Sequence, residues 1–350
     1  MAPRARLLSL ATSVPPYVIH QGVAAAVAHR AFAPRYPEFE QLRPVFDNAG
    51  IRTRRGVRPI EWYLEDRGWP GRTTVFLEGA GELFCAAARE AIEQAGLTPE
   101  QIDTIVTVSS TGIAAPSLEA RAAARMGFRA DVERIPIFGL GCAGGVSGLA
   151  IASRLAQARP GTNVLLVAVE ICTLAFRLDK LTKANIVATA LFGDGAAACV
   201  LRAGEGGLAE IESSAEHLWP DTLGIMGWDV EPQGFGVIFD RDIPPFAEKH
   251  LEPAMTSMLG KAGLTSEDID RFVFHPGGVK VLQALESALW LGQGALDHER
   301  EVLAECGNMS APTALFVLKR VMDEGLPDRI ALGALGPGFT ASCVTMRAAA

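Results

Sequence analysis

Metal-ligand patterns, long apolar runs and basic charge are all scarce in this 350-residue chain, and each scarcity removes a class of function. Its six cysteines, at positions 85, 142, 172, 199, 306 and 343, include no Cys-x-x-Cys pair, and no histidine stands at metal-ligand spacing. That pattern offers no zinc site, and in so long and apolar a chain it argues against a disulfide framework. Most of these cysteines read as small core residues. No stretch reaches the ~20 consecutive apolar residues of a membrane helix, so no stable membrane insertion is expected. Arg4 and Arg6 before the apolar run 7–10 imitate a secretory leader only thinly, because the run is short and Pro15-Pro16 breaks it. It reads as the first strand of a cytoplasmic protein. Basic residues number 32 against 40 acidic ones, a net charge of −8, which argues against a nucleic-acid partner. Any anionic ligand must therefore meet a local basic cluster.

What the chain does contain is apolar and turn-rich: 49% hydrophobic residues, 36 Gly and 21 Pro, the make-up of a globular protein. It also repeats itself. Ala95-Gly-Leu-Thr-Pro-Glu-Gln-Ile-Asp103 returns as Ala262-Gly-Leu-Thr-Ser-Glu-Asp-Ile-Asp270, seven of nine residues identical at an offset of 167. Each copy follows a helix-like stretch (83–94 and 251–261) and precedes a β-branched or aromatic run (105–108 and 272–274). Helix, glycine stop, Thr cap and strand in that order make an α/β unit. Gly141-Cys142 and Gly307-Asn308, 166 apart, each precede another helix-like run (146–158 and 314–322). The expected fold is therefore a duplicated α/β sandwich, with halves 1–205 and 206–350.

Ile135-Pro-Ile-Phe-Gly-Leu-Gly-Cys-Ala-Gly-Gly145 reads as a strand, a glycine-rich turn and a helix start. A cysteine on such a turn stands at the positive end of a helix, where a lowered pKa and a reactive thiolate are expected. The same letters spell Gly139-x-Gly141-x-x-Gly144, a dinucleotide fingerprint, with Glu170 placed as a ribose-binding acid; an NAD-dependent dehydrogenase is the rival reading. It leaves two other residues unexplained. His275 closes a strand before Pro-Gly-Gly, and Asn308 stands where a helix starts, as an N-cap would. Duplication places Cys142 and Asn308 across a pseudo-twofold, with His275 at a nearby strand end. The order Cys, His, Asn also fits papain-like proteases, but their local signature is missing and the scaffold is wrong.

These segments resemble the type III polyketide synthases, the chalcone and stilbene synthase family. The resemblance rests on Gly139-Leu-Gly-Cys-Ala-Gly-Gly145, Val169-Glu-Ile-Cys-Thr-Leu-Ala-Phe176, Leu191-Phe-Gly-Asp-Gly-Ala-Ala-Ala198, His275-Pro-Gly-Gly278, Gly307-Asn-Met-Ser310 and Gly336-Pro-Gly338, spread over most of the chain. It implies a thiolase-like, five-layered α-β-α-β-α fold. It makes Cys142 the acyl-carrying nucleophile and His275 and Asn308 its partners. Phe192 matches an aromatic gate, and Ala175, Thr111 and Ser310 are implied as pocket residues. A ketoacyl synthase III shares fold and trio but would carry a His-Gln-Ala-Asn type motif in place of His-Pro-Gly-Gly. A catalytically silent dimer partner is disfavoured by the retained Cys, His and Asn. The implied enzyme is a homodimeric acyltransferase that loads an acyl-CoA starter, extends it with malonyl-CoA and needs no cofactor beyond these CoA thioesters.

CoA carries several phosphate charges, which guanidinium groups suit. Arg52, Arg54, Arg55 and Arg58 fall within seven residues, with Arg43 upstream and Lys280 one turn after His275. Arg43, Arg52, Arg54, Arg55 and Lys280 are the expected CoA contacts. Departures from the plant pattern bear on product. Ala115 stands for Met, Ala175 for Thr, Leu335 for Phe, and no second gate Phe is in register near Gly236-Val237. With Met226-Gly-Trp228-Asp229 these changes look most like bacterial alkylresorcinol and alkylpyrone synthases, which take long acyl starters.

Overall fold

A computed structural model describes residues 3–349. Along the chain run β1 (Ala5–Ser13), β2 (Tyr17–His20), α1 (Gln21–Phe32), the short α2 (Phe39–Leu42) and α3 (Pro44–Asn48), and β3 (Thr53–Gly56). There follow α4 (Trp69–Gln94), β4 (Thr104–Val108), α5 (Leu118–Met126), β5 (Glu133–Ile137), α6 (Gly144–Ala158), β6 (Asn163–Ile171), α7 (Lys183–Leu191) and β7 (Asp194–Ala203). Then come β8 (Ala209–Leu218), β9 (Met226–Glu231), β10 (Gly234–Phe239), α8 (Ile243–Gly260) and β11 (Arg271–Phe274). Last are α9 (Val279–Ala288), α10 (Asp297–Cys306), α11 (Thr313–Glu324), β12 (Arg329–Gly336) and β13 (Thr340–Ala348).

Nine strands make one sheet in the order β11-β12-β13-β8-β1-β7-β6-β4-β5. Its two ends are built alike. β4 lies parallel to β6, β6 antiparallel to β7 and β7 antiparallel to β1. β11, β12, β13 and β8 repeat those three relations in that order. Only β5 lacks a counterpart. The seam between the ends is two residue pairs, Arg6↔Glu210 and Leu7↔Ala209.

The repeated loops do the same work twice. Gly96 and Gly263 both stop a helix at positive φ (67° and 71°), where a side chain is disfavoured. Thr98 and Thr265 each open a capping box. Asp103 accepts the Asn163 N–H and Asp270 the Arg329 N–H, both at 2.7 Å. Thus one carboxylate pins the start of β6 and its twin pins the start of β12.

Strand alternation sends side chains to different layers. In β6, Leu165, Val167 and Val169 pack toward α1 and α4, whereas Val164, Leu166 and Ala168 pack toward α6 and α11. In β12, Ile330 and Leu332 join that same central helix layer, while Ala331 and Leu335 face α8 and α9. Helix, sheet, helix, sheet, helix is the resulting stack, with α6 and α11 buried in the middle. Close contact there needs small residues: a Cβ on Gly145 would lie 2.1 Å from the Ala311 carbonyl oxygen. None of the described helices is long and apolar enough to cross a membrane.

Candidate active site

Cys142 sits on a single 3-10 turn (Gly141–Ala143) between β5 and α6. Gly139 and Gly141 take φ of 92° and 47° to form it. Their N–H groups both donate to the Ser110 hydroxyl, at 3.1 and 3.2 Å. The Ser110 N–H in turn donates to the buried carboxylate of Glu170. From the other side the turn is braced by the C-terminal Gly-Pro-Gly. A Cβ on Gly141 would meet Pro337 at 2.7 Å, and one on Gly336 would meet Ala143 at 2.6 Å. The sulfur is thereby aimed from a rigid corner.

His275 follows the last residue of β11 and is only 4% exposed. Its N–H donates to the Gly333 carbonyl, and neither ring nitrogen has a hydrogen-bond partner among the described residues. Asn308 is buried too, and it is not a helix cap: α11 begins five residues later, at Thr313. A parallel bridge to Phe192 holds it instead, with Asn308 N–H to the Leu191 carbonyl (2.8 Å) and Gly193 N–H to the Asn308 carbonyl (3.0 Å). Its side chain is oriented as well. Oδ1 accepts the Ser310 N–H at 2.8 Å, and Nδ2 donates one hydrogen to the Gly277 carbonyl at 3.2 Å, while the side chain also reaches the Cys142 sulfur. Ser310 holds a positive φ of 58°, backbone strain of the kind that gathers at functional sites.

Cys142, His275 and Asn308 line one cavity with Met226, Phe239 and Leu335. A second chamber shares Cys142, Met226 and Phe239 and adds Phe192, Ser310, Cys172 and Trp228. Phe192 and Cys172 also line a third, mostly apolar chamber of about 430 Å³, reaching Ile19, Val27, Ile60, Tyr63, Phe176 and Arg54. Thr111 and Ala175 line a fourth, which meets the second at Trp228.

Burial sets the charge states. It pushes the Cys142 thiol up to about 12, against hydrogen bonds from Ser310 and Asn308 that pull it down; the Glu170 charge adds to the rise. The lowered pKa expected of a helix start is absent in the resting site, because desolvation outweighs the turn's N–H groups. Burial likewise pushes His275 down to about 3. Burial opposes each charge singly, whereas moving the proton from Cys142 to His275 leaves the cavity's net charge unchanged. Burial thus disfavours either ion formed alone more than it disfavours the two formed together.

Three sequence expectations change. Arg54 is 2% exposed and donates to the Phe192 carbonyl at 3.4 Å, so it faces inward and not toward CoA phosphates. Its neighbours alternate outward, as residues of a two-stranded ribbon must. Arg52 is exposed but lies 3.6 Å from Glu305. Arg43 and Lys280 are exposed and Arg55 half-buried, and none of the three forms an ion pair within the described residues. Second, an aromatic does stand near Gly236-Val237: Phe239, at the end of β10, faces Cys142, and the β9–β10 pairing places it opposite Met226. Third, Glu170 cannot hold a ribose. It is fully buried, and its carboxylate accepts from Ser109, Ser110 and Thr111. That removes the dinucleotide reading. Glu170 was given another role and Phe239 was missed, since neither burial nor the β9–β10 pairing can be read from the local residues.

Two family models cover the chain: "Chalcone and stilbene synthases, N-terminal domain" over residues 69–205 and the C-terminal domain of the same family over 210–350. A putative chalcone synthase of Bacillus subtilis is 38% identical, with 95% of this chain and 96% of that protein covered. A 1,3,6,8-tetrahydroxynaphthalene synthase of Streptomyces peucetius is 39% identical, with 94% of each covered. The crystal structure of the corresponding Streptomyces coelicolor synthase, a bacterial type III polyketide synthase, matches at a TM-score of 0.93 and 33% identity over 99% of both chains.

Proposed function

This chain belongs to the chalcone and stilbene synthase family and is a type III polyketide synthase; from that premise we propose how its own residues run the condensation and which starter they suit. One observation carries the reading: Cys142, His275 and Asn308 open on a single cavity, with the Asn308 amide already oriented by Ser310 and Gly277. His275 takes the Cys142 proton as the thiolate attacks the starter thioester carbonyl. The ring N–H of the protonated His275 and the Nδ2–H that Asn308 turns from the sulfur donate to the oxyanion, CoA leaves as its thiol by taking the His275 proton, and the acyl group stays on Cys142. Malonyl-CoA then loses CO₂, and the same two donors hold the enolate oxygen. That enolate carbon attacks the acyl carbonyl, Cys142 is released, and a chain two carbons longer is left on CoA for the next round. At the enolate step both donors are neutral, His275 having given its proton to the departing CoA, and neither repels an oxygen that gains charge as a carboxylate would. No metal or redox group is asked for.

The starter we propose is an alkyl acyl-CoA, released after extension and ring closure as an alkylresorcinol or alkylpyrone. Supporting this, the chamber behind Phe192 and Cys172 is lined chiefly by Ile19, Ala24, Val27, Ile60, Phe176 and Ala188, a wall that gains from burying a hydrocarbon. A malonyl-primed route is the second reading, because relatives on both comparisons are tetrahydroxynaphthalene synthases. CoA phosphates would meet Arg43, Arg55 and Lys280, with Ala49 and Ile51 packing in one cluster with Val281 next to that lysine. We also propose a homodimer in the cytoplasm, joined at the β5 edge. Incubation with labelled malonyl-CoA and acyl-CoAs of two to sixteen carbons tests the starter. Alkylated products favouring the longer chains are expected; product formed from malonyl-CoA alone, indifferent to added acyl-CoA, would replace this reading with the second.

A further inference from the structure

Arg54 was expected at the CoA phosphates and is found inside, which raises the question of what a buried guanidinium does there. It lies on β3 opposite Ile19 of β2, on the inward face of a small ribbon separate from the main sheet. Its Nη1 donates to the carbonyl of Phe192. That carbonyl sits at the C-cap of α7, where the helix itself supplies no donor. The neighbouring peptide groups are already committed. Leu191 O and Gly193 N bond to Asn308, and Phe192 N bonds back to Ala188. Two glycines let these segments close around the arginine: a Cβ on Gly193 would lie 3.2 Å from the Arg54 Cβ, and one on Gly307 would lie 3.3 Å from it. Asp194, two residues past the gate, supplies a counter-charge once it ionises, near pH 7, and is itself fixed by the Thr173 N–H and hydroxyl and the Val57 N–H.

We propose that Arg54 is a positioning residue, holding the Phe192–Asn308 bridge so that the gate ring and the oxyanion donor are set by one backbone unit. Phe192 and Asn308 are far apart in sequence yet cannot move independently, since each residue's flanking N–H or carbonyl is bonded to the other. Arg54, with the Asp194 carboxyl nearby, clamps that unit through the Phe192 carbonyl. Loosening it displaces the Asn308 amide, and a shift of an ångström at such a donor costs about ten- to a hundredfold in rate. CoA affinity is untouched, because no phosphate reaches Arg54.

This inference rests on the role given to Asn308 above, and the test separates the two. Malonyl-CoA decarboxylation is measured for Arg54→Met, Arg54→Lys and Asn308→Ala. Each rate is expressed per iodoacetamide-titratable active site, with the Kd for coenzyme A measured alongside. For Arg54→Met the expected result is a kcat lowered about tenfold or more with Kd changed less than about twofold. Arg54→Lys keeps the charge without the fork and should fall between. Should the methionine variant fail to fold, the lysine variant decides alone: a per-site kcat below wild type with unchanged Kd supports the proposal. A wild-type per-site kcat, or a Kd raised tenfold with kcat intact, overturns it. If Asn308→Ala decarboxylates normally, the oxyanion reading itself falls.

Discussion

Cys142 and His275 share one problem, a buried cavity that resists charge, and in the proposed mechanism the pair meets it by exchanging a proton internally. Burial drives the thiol up to about 12 and the imidazole down to about 3, so the separate ions are disfavoured. Attack on a thioester consumes the thiolate as it forms, and the imidazolium left behind is matched to the oxyanion. That Cys142, His275 and Asn308 meet was legible in the sequence, because the duplication sets Cys142 and Asn308 across a pseudo-twofold with His275 at a nearby strand end, and one cavity gathers all three. The inward turn of Arg54 was hidden in a run of arginines that looks uniform. Only the β2–β3 pairing, a contact between distant residues, reveals which of them faces in. Glu170 was noticed for a role its burial forbids, since nothing in Val169-Glu-Ile says that three successive residues of another loop will surround the carboxylate.

At the scale of elements, the repeated Ala-Gly-Leu-Thr loops disclosed the duplication, because a glycine stop and a capping box are chemistry that folds locally. The seam at β1–β8 and the β9–β10 ribbon were not legible; both depend on long-range pairing, and the ribbon's strands alternate too weakly to announce a buried face. β5 has the opposite character. It is the outermost strand, carries an interrupting Pro136, and is flanked by Phe138 (57% exposed) and Ile113 (55% exposed). An edge strand beside large exposed apolar side chains is a surface awaiting cover. The homodimer proposed at this edge makes a direct prediction: the wild-type chain sediments at twice the mass of one chain, and Phe138→Asp shifts it toward one. A wild-type monomer would remove the proposed interface.

For the whole molecule, three fully buried acids dominate the response to pH. Glu170, Asp194 and Glu299 are each pushed up by burial to about 7. Such an acid keeps its proton in the fold while the unfolded chain has lost it above about 4.5, so stability falls as pH rises toward 7. His275 acts oppositely, its depressed pKa adding stability as pH rises to 6.5. Three acids outweigh one histidine, and the thermal midpoint should drop between about pH 5 and pH 7.5 at constant ionic strength; a midpoint that rises over that span would contradict this balance. The net charge of −8, read from the sequence, calls for a local basic site if CoA is bound; burial withdraws Arg54 and the Glu305 ion pair occupies Arg52, leaving Arg43, Arg55 and Lys280 as the proposed contacts. Everything proposed about the reaction depends on the acyl chain residing on one sulfur among six. Intact-mass spectrometry after a brief incubation with octanoyl-CoA, followed by peptide mapping, measures that directly. The account predicts one octanoyl group per chain, on Cys142 and absent from Cys142→Ala; an adduct that survives Cys142→Ala, or none in the wild type while product accumulates, would contradict it.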